Sequence, residues 1–253
     1  MGGSYGDIIR RTLECTSFDG LQEILKNALY DPIEDTEDAY EKIFTGYKTL
    51  WKAKNLDDAL SPGSKDLENH PTRLAEYGDA LARLMGISAE ETRAVVLGAH
   101  YHDMGKIIFN ADHINSKKIF DEKEKRKLHS HVIVGAYLVS TGRKEDILVA
   151  QVVGYHHENF DGTGYVDHLV AEESPLPARI LVVIDRFDTM RTKNHGQKKT
   201  VEAALEDLKA NSGTQFDPSI VAYFERLIKN NEKIRDIAYR DWKKEFVVEQ
   251  KKN

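Results

Sequence analysis

Apolar residues along most of the chain are spaced three or four positions apart, as they are on one face of an α-helix. The clearest stripes lie in residues 65–85, 178–192 and 217–228, and they predict amphipathic helices that bury one face. A similar stripe in residues 36–53 predicts a helix in the N-terminal part. The apolar run at residues 147–153 is too short for its period to distinguish a strand from a helix.

Capping residues mark the starts of several helices. Ser88 and Glu91 have the spacing of a capping box, in front of a helix predicted to run to Asp103. Asp217 precedes Pro218, and proline is well tolerated at the first helical position. Further helices are predicted over residues 7–30, 121–139 and 200–211.

The segment Ser61–Ser64, which reads Ser-Pro-Gly-Ser, is the clearest interruption of these patterns. It separates residues 1–60, predicted to be an N-terminal helical cap or regulatory segment, from residues 61–253. The N-terminal helices carry no chemical motif, which favours a role in packing or dimerisation. We therefore predict that a homodimer or a signalling partner would be contacted through residues 1–60.

Composition narrows the class of protein. The chain has 253 residues, of which 40% are hydrophobic and 31% charged, as in an ordinary soluble globular protein. A net charge of -6 argues against a nucleic-acid polymer as partner and is compatible with a local basic pocket for a phosphorylated small molecule. The one cysteine, Cys15, allows no intramolecular disulfide, and no apolar run approaches the roughly 18 residues of a membrane span. With no signal segment at the start, these features predict a cytoplasmic protein without a membrane partner.

The most informative stretch for chemistry is His102–Asp103, followed by Gly105 and Lys106. Imidazole nitrogen and carboxylate oxygen are ligands that suit Zn, Mn and Fe alike, and a carboxylate can bridge two ions. By itself, this stretch fits a helix end with a buried His–Asp pair equally well. Further histidines in suitable contexts favour the metal interpretation, namely His70, His131, His156 and His157.

Asp185 is the second informative carboxylate because it lies beside an apolar core run. A charged aspartate there is costly unless it is paired or binds a cation. A salt bridge from Asp185 to Arg179 or Arg186 is the alternative to a metal role. His129 and His131 are two positions apart and point to different sides of a helix, so at most one of them should face a given site.

These candidates exceed the four ligands of one structural zinc. They suit a two-ion site bridged by Asp103 and a water, with the ligands His70, His102, Asp103, His131, His156, His157 and Asp185. Two ions can activate that water as hydroxide and stabilise the phosphorus centre of a phosphodiester. Lys106 could hold a phosphate oxygen or the leaving oxygen, so Asp103 and Lys106 are the catalytic candidates.

The order of these motifs is similar to that of a known family. His70 with Arg73, then His102–Asp103, then His131 resembles the HD phosphohydrolase superfamily. The segment from His156 onwards resembles its HD-GYP subfamily closely, and the likeness extends over roughly residues 65–230. The motifs that carry the subfamily resemblance are His156–Tyr165, Pro177–Ile180, Asp185, Asp188, Gly213 and Phe216–Pro218.

The resemblance implies an all-α fold, an HD-domain helical bundle, here with an extra N-terminal helical segment. It implies hydrolysis of the bacterial messenger cyclic di-GMP to linear pGpG, to GMP, or to both. It also implies two or three divalent ions, usually iron or manganese, with the metal positions on the seven residues above and the catalytic lysine on Lys106. Asp66 falls where some members hold a third ion. The implied substrate-binding positions are Lys106, Asp161, Gly164, Tyr165 and Arg179.

The chain departs from the HD-GYP pattern where substrate would be held. Val166 stands in place of the signature proline, and residues 194–197 stand where the family has Arg-Pro-Tyr-Arg. Two arginines that could face phosphates are therefore missing, and Lys198 is a nearby candidate for the same purpose. These departures leave two alternatives open: a non-catalytic or weakly active cyclic di-GMP receptor, and an HD phosphohydrolase that acts on another cyclic dinucleotide.

Overall fold

The computed structural model describes residues 70–108, 122–140, 146–192 and 198–240, together with three helical positions nearer the N-terminus. The predicted helix over residues 36–53, the proposed boundary near residue 60 and Asp66 lie outside the described residues. Within those residues the fold contains α-helices and short 3₁₀ segments but no strand, which confirms the all-α prediction. None of the described helices combines the length and hydrophobicity needed to cross a membrane.

Eight α-helices follow one another in the described part of the chain. They are α1 (His70–Met85), α2 (Ala89–Tyr101), α3 (Glu122–Val139), α4 (Ile147–Tyr155), α5 (Leu176–Thr192), α6 (Val201–Ala210), α7 (Pro218–Asn230) and α8 (Glu232–Tyr239). Short 3₁₀ helices cover Met104–Ile108 and Ala171–Glu173. The ambiguous apolar run at residues 147–153 is therefore part of a helix.

The predicted caps are present. The Ser88 hydroxyl accepts a hydrogen bond from the Glu91 N–H at 3.1 Å, and the Glu91 carboxylate accepts one from the Ser88 N–H at 2.9 Å. Asp217 caps α7 by accepting from the Ser219 N–H at 2.8 Å. The predicted end of α2 at Asp103 is wrong by two residues, because after Tyr101 the backbone turns and tightens into a 3₁₀ helix.

Helix α5 lies at the centre of the fold and packs against α1, α2, α4, α6 and α7. Its residues Ile180, Val183, Ile184 and Phe187 are fully buried, as the helical stripe predicts. Each such side chain contributes about 1.5–3 kcal/mol by leaving water. The rings of Tyr77, Phe187 and Phe224 meet edge to face with centroids 5.0–5.9 Å apart, and they join α1, α5 and α7.

A close backbone contact sets the 3₁₀ helix after α2 against α3. A Cβ atom added to Gly105 would lie 1.9 Å from the carbonyl oxygen of His131 and 2.7 Å from the backbone nitrogen of Gly135. Glycine at position 105 is therefore required for this approach. The contact brings Asp103 and Lys106 next to the part of α3 that carries His131.

Candidate metal centre

The structure brings the seven predicted metal ligands together in two groups. They come from the start of α1, the end of α2, the middle of α3, the end of α4 and the middle of α5. Within each group the ligand atoms lie within 4.8 Å of one another. The first group is His70, His102 and Asp185, and the second is Asp103, His131, His156 and His157.

Asp103 lies between the two groups. Its Oδ2 is 3.5 Å from His102 Nε2 in the first group, and its Oδ1 is 3.6 Å from His131 Nε2 in the second. Two ligands that each lie about 2.0–2.2 Å from one ion are themselves about 3–3.6 Å apart. The carboxylate is thus oriented with one oxygen toward each group, as a bridging ligand would be.

The histidine tautomers also fit metal ligation. In three of these histidines, Nδ1 lies 2.6–2.9 Å from the carbonyl oxygen three residues earlier in the chain. A carbonyl oxygen can only accept, so Nδ1 carries the proton and the Nε2 lone pair is directed into the group. Nε2 of His131 and Nε2 of His156 are only 3.4 Å apart, which suits a cation held between them. The three histidines are His102, His131 and His156.

The local electrostatics of the second group favour the protonation states that bind metal. Burial lowers the pKa of His131 to about 4, and it holds the pKa of His156 and of His157 well below the usual range. Burial by itself raises the pKa of Asp103, but nearby positive charge, first from His102 and then from Lys106, holds that pKa well below its usual range. The second group therefore presents neutral imidazoles and an ionised carboxylate at neutral pH.

Asp188 orients His70, a role that the sequence analysis did not assign. Its Oδ2 accepts a hydrogen bond from His70 Nδ1 at 2.7 Å, so His70 Nε2 points to Asp185 Oδ1 at 3.1 Å. Arg73 donates to both oxygens of Asp188, through Nε at 2.8 Å and Nη2 at 2.9 Å, and both side chains are 0% exposed. Burial lowers the pKa of His70, but hydrogen bonds to the two aspartates outweigh it and raise that pKa to about 9. No local pattern in the sequence indicates this contact, because Asp188 lies 118 positions from His70.

The alternative salt bridges for Asp185 are not observed. Arg179 pairs with Asp217 instead, and Arg186 Nη2 lies 3.7 Å from Asp207 Oδ1. Asp185 instead faces His70 of the first group, with its Oδ1 3.1 Å from His70 Nε2. Arg179 also donates from Nε to the carbonyl oxygen of Ser174 at 3.0 Å, so its contacts stabilise the fold and its substrate-binding role stays a prediction.

Lys106 lies at the opening of the centre. Its Nζ is 2.6 Å from Asp103 Oδ2, and its side chain is 29% exposed. The two catalytic candidates are therefore in direct contact.

The other substrate candidates have distinct surroundings. Asp161 is exposed and accepts from the N–H and the hydroxyl of Thr163 at 3.0 and 2.6 Å, an arrangement that shapes the loop. A Cβ atom on Gly164 would lie 2.2 Å from the backbone nitrogen of Asn159, so close packing explains this glycine. Tyr165 stacks on His157 and is thus next to the second group, whereas Lys198 is half-buried in the segment before α6. Their substrate contacts stay predictions.

We expect the metal-free protein to lose stability as the pH falls from 7 to 5. His131 takes up a proton below pH 6.5 in the unfolded chain but only near pH 4 in the folded one, so acid favours unfolding by about 2 kcal/mol. His156 and His157, whose pKa values are also lowered, add to this loss. His70, with its raised pKa, opposes it by about 1 kcal/mol.

Urea denaturation of the metal-free protein at pH 7, 6 and 5 measures this dependence. The His131→Asn variant is the control, because it lacks one titrating ring and should show a shallower decline. An unfolding free energy that is unchanged between pH 7 and pH 5 would contradict the buried, neutral state of these histidines.

The chain is similar to proteins that have already been described. The family model described as HD domain matches residues 54–220. The chain is 35% identical over 151 residues to the cyclic di-GMP phosphodiesterase response regulator RpfG of Xanthomonas campestris, covering 59% of this chain and 40% of that protein. It is 28% identical over 210 residues to a cyclic di-GMP phosphodiesterase of Thermotoga maritima, covering 81% of this chain and 56% of that protein.

A third relative has a different named substrate. The chain is 28% identical over 169 residues to 3'3'-cGAMP-specific phosphodiesterase 2 of Vibrio cholerae, covering 66% of this chain and 32% of that protein. The chain thus spans between about a third and somewhat more than half of the length of these curated relatives.

Two solved structures share the fold. The cyclic GMP-AMP specific phosphodiesterase V-cGAP3 of V. cholerae superimposes with a TM-score of 0.55 at 19% identity, covering 79% of this chain and 51% of that one. Bd1817, an HDG"Y"P protein from Bdellovibrio bacteriovorus, superimposes with a TM-score of 0.51 at 19% identity, covering 88% of this chain and 78% of that one. At this level of identity the likeness is one of fold.

Proposed function

The chain belongs to the HD domain family, and we propose that it is a metal-dependent phosphodiesterase that hydrolyses cyclic di-GMP to linear pGpG, to GMP, or to both. The observation that carries the proposal is the pair of ligand groups with Asp103 between them. Relatives named as cyclic di-GMP phosphodiesterases, at 35% and 28% identity, support the class of substrate.

The two groups would each hold one divalent ion, and we propose iron or manganese. Their imidazole and carboxylate donors suit both metals. When bound, two such ions would supply an activated water and would stabilise negative charge on the phosphoryl oxygens of a phosphodiester. Asp66, the predicted ligand of a third ion, lies outside the described residues and stays a prediction.

The chain's own residues prepare the site for an anionic substrate. Asp188 and Arg73 hold the His70 ring in one orientation, so its Nε2 is directed at the first group. Lys106 places a positive charge at the opening, where it would hold a phosphate oxygen or stabilise the leaving oxygen. Asp103 keeps Lys106 in this place and is itself kept ionised by its positively charged neighbours.

The second candidate substrate is another cyclic dinucleotide, 3'3'-cGAMP. The relative with that named specificity covers two thirds of this chain, although at 28% identity. The departures at Val166 and residues 194–197 affect the part of the sequence that the family uses around its substrate. The metal ligands are the same for either substrate, so the choice between the two depends on contacts to the bases.

Product analysis tests the proposal. Purified protein, loaded separately with Mn and with Fe(II) under anaerobic conditions, is incubated with cyclic di-GMP and in parallel with 3'3'-cGAMP. We expect linear dinucleotide or mononucleotide from cyclic di-GMP, and none from the His102→Ala/Asp103→Ala control. Cleavage of 3'3'-cGAMP alone would support the second candidate. Full metal occupancy without product from either substrate would contradict hydrolysis and favour a receptor.

Lys106→Ala is expected to lower turnover by about 10²–10³-fold while the metal content stays unchanged. The lysine contacts Asp103 but belongs to neither ligand group, so its loss removes a positive charge without removing a metal ligand. Steady-state rates and metal analysis of the same sample measure both effects. Lys229→Ala, which removes an exposed lysine from α7, is the matched control. Unchanged turnover in Lys106→Ala would refute the catalytic role.

A further inference from the structure

One histidine of the second group is held differently from the other histidines of the centre. The Nδ1 atoms of His102, His131 and His156 each have a backbone carbonyl partner, and His70 has Asp188. In the described part of the chain, the His157 ring contacts other rings but has no hydrogen-bond partner of this kind. Metal-ligating histidines depend on such an outer contact to hold the ring in one orientation. Among the described residues, ring contacts take the place of that hydrogen bond at His157.

The contact that takes this role is an aromatic stack. The Tyr165 ring lies on the His157 ring with centroids 4.9 Å apart and planes 25° apart. The His129 ring also lies on the Tyr165 ring, with centroids 3.7 Å apart and planes 9° apart. This is a close parallel stack. The three rings form a continuous column from the metal centre to α3.

We propose that His129 is a positioning residue of the metal centre: its ring holds Tyr165, and Tyr165 holds the ring of His157. The inference rests on the metal centre of the proposed function and extends it to a residue outside both ligand groups. Helix α3 would then support the metal centre through two of its residues. His131 is a ligand in the second group, and His129 leaves the helix on another side and reaches the loop after α4.

The backbone around Tyr165 explains why the ring needs an outside partner. The Tyr165 N–H donates to the carbonyl oxygen of His157 at 3.2 Å. Glu158 Oε1 accepts from the N–H groups of Asp167 and His168 at 2.7 and 2.9 Å. These bonds hold the main chain of the loop against the segment that carries His157. These backbone bonds do not restrict rotation of the Tyr165 ring. The parallel contact with the His129 ring restricts it.

The proposal predicts an effect on one ion and not on the other. Loss of the His129 ring lets Tyr165 and then His157 change orientation, so the second group weakens. The first group of His70, His102 and Asp185 has its own support from Asp188 and Arg73. Removing an outer contact of a metal ligand typically costs about 10–100-fold in metal affinity.

The test is a titration of the metal-free protein with Co²⁺, followed by visible absorption, with total metal determined by elemental analysis. We expect two binding steps in the parent chain. His129→Ala should weaken one step by about 10–100-fold and leave the other unchanged. His129→Phe, which keeps a flat ring but no ring nitrogen, should restore the affinity to within about threefold. Lys125→Ala removes an exposed side chain from the same helix and is the matched control.

Several results would overturn the proposal. One is that both Co²⁺ affinities are the same in His129→Ala as in the parent chain. Another is that His129→Phe binds Co²⁺ no more tightly than His129→Ala does, which would assign the effect to the imidazole nitrogen instead of the stack. Tyr165→Leu should reproduce the His129→Ala pattern, and a normal titration would equally contradict the column. If the parent chain binds no Co²⁺, the metal centre and this inference fail together. The absence of product from a cyclic dinucleotide, with both binding steps present, would refute only the proposed reaction.

Discussion

Asp103→Ala is expected to remove bound metal and phosphodiesterase activity together. The carboxylate belongs to the second group, and it has one oxygen 3.6 Å from His131 Nε2 there and the other 3.5 Å from His102 Nε2 of the first group. It also accepts a hydrogen bond from Lys106. Its loss should lower turnover by at least about 10³-fold, because it combines the loss of a proposed ligand with the displacement of the lysine that is proposed to be catalytic.

Metal analysis and turnover of Asp103→Ala and Asp103→Asn, measured side by side, separate ligation from bridging. An asparagine side chain has one oxygen where aspartate has two, so Asp103→Asn should retain one ion more firmly than the other. Asp79→Ala is the matched control, because it removes a partly exposed aspartate that pairs with Arg83 on α1. Full metal stoichiometry in Asp103→Ala would contradict the assignment of a two-ion centre bridged by this residue.

Asp188→Ala is expected to destabilise the fold by about 3–5 kcal/mol, the usual result of removing one partner of a buried ion pair. Asp188 and Arg73 are both fully buried, and the guanidinium contacts both carboxylate oxygens. The same substitution removes the hydrogen bond that orients His70. Affinity for the ion of the first group should therefore fall by about 10–100-fold.

Urea denaturation of the metal-free protein isolates the effect on stability from the effect on metal binding. The double variant Arg73→Met/Asp188→Leu should be more stable than Asp188→Ala, because it removes the buried charge together with its partner. Arg83→Ala breaks an exposed pair on the same helix and should cost less than about 1 kcal/mol. Asp188→Ala with parent-like stability would mean that the pair does not stabilise the fold.

Much of the local structure followed from the sequence, because its signals act over short distances. Helical stripes, the capping box at Ser88 and the proline after Asp217 depend on residues within a few positions of each other. Prediction was weaker where an apolar run was too short to show its period, or where a helix ended in an irregular way. The run at residues 147–153 had no decisive period. Helix α2 ends at Tyr101, before a 3₁₀ helix in which Gly105 closely approaches the backbone of α3.

The sequence by itself determined which residues could serve as metal ligands, because residue type and motif order select them. The tertiary structure decided how these residues are divided and supported. His70 and Asp188 are 118 positions apart, and Arg73 and Asp188 are 115 apart, so no local pattern indicates their contact. The same holds for the orientation of Asp103 between two groups and for the stack of His129 on Tyr165. Such contacts arise only when helices from distant parts of the chain pack around one core.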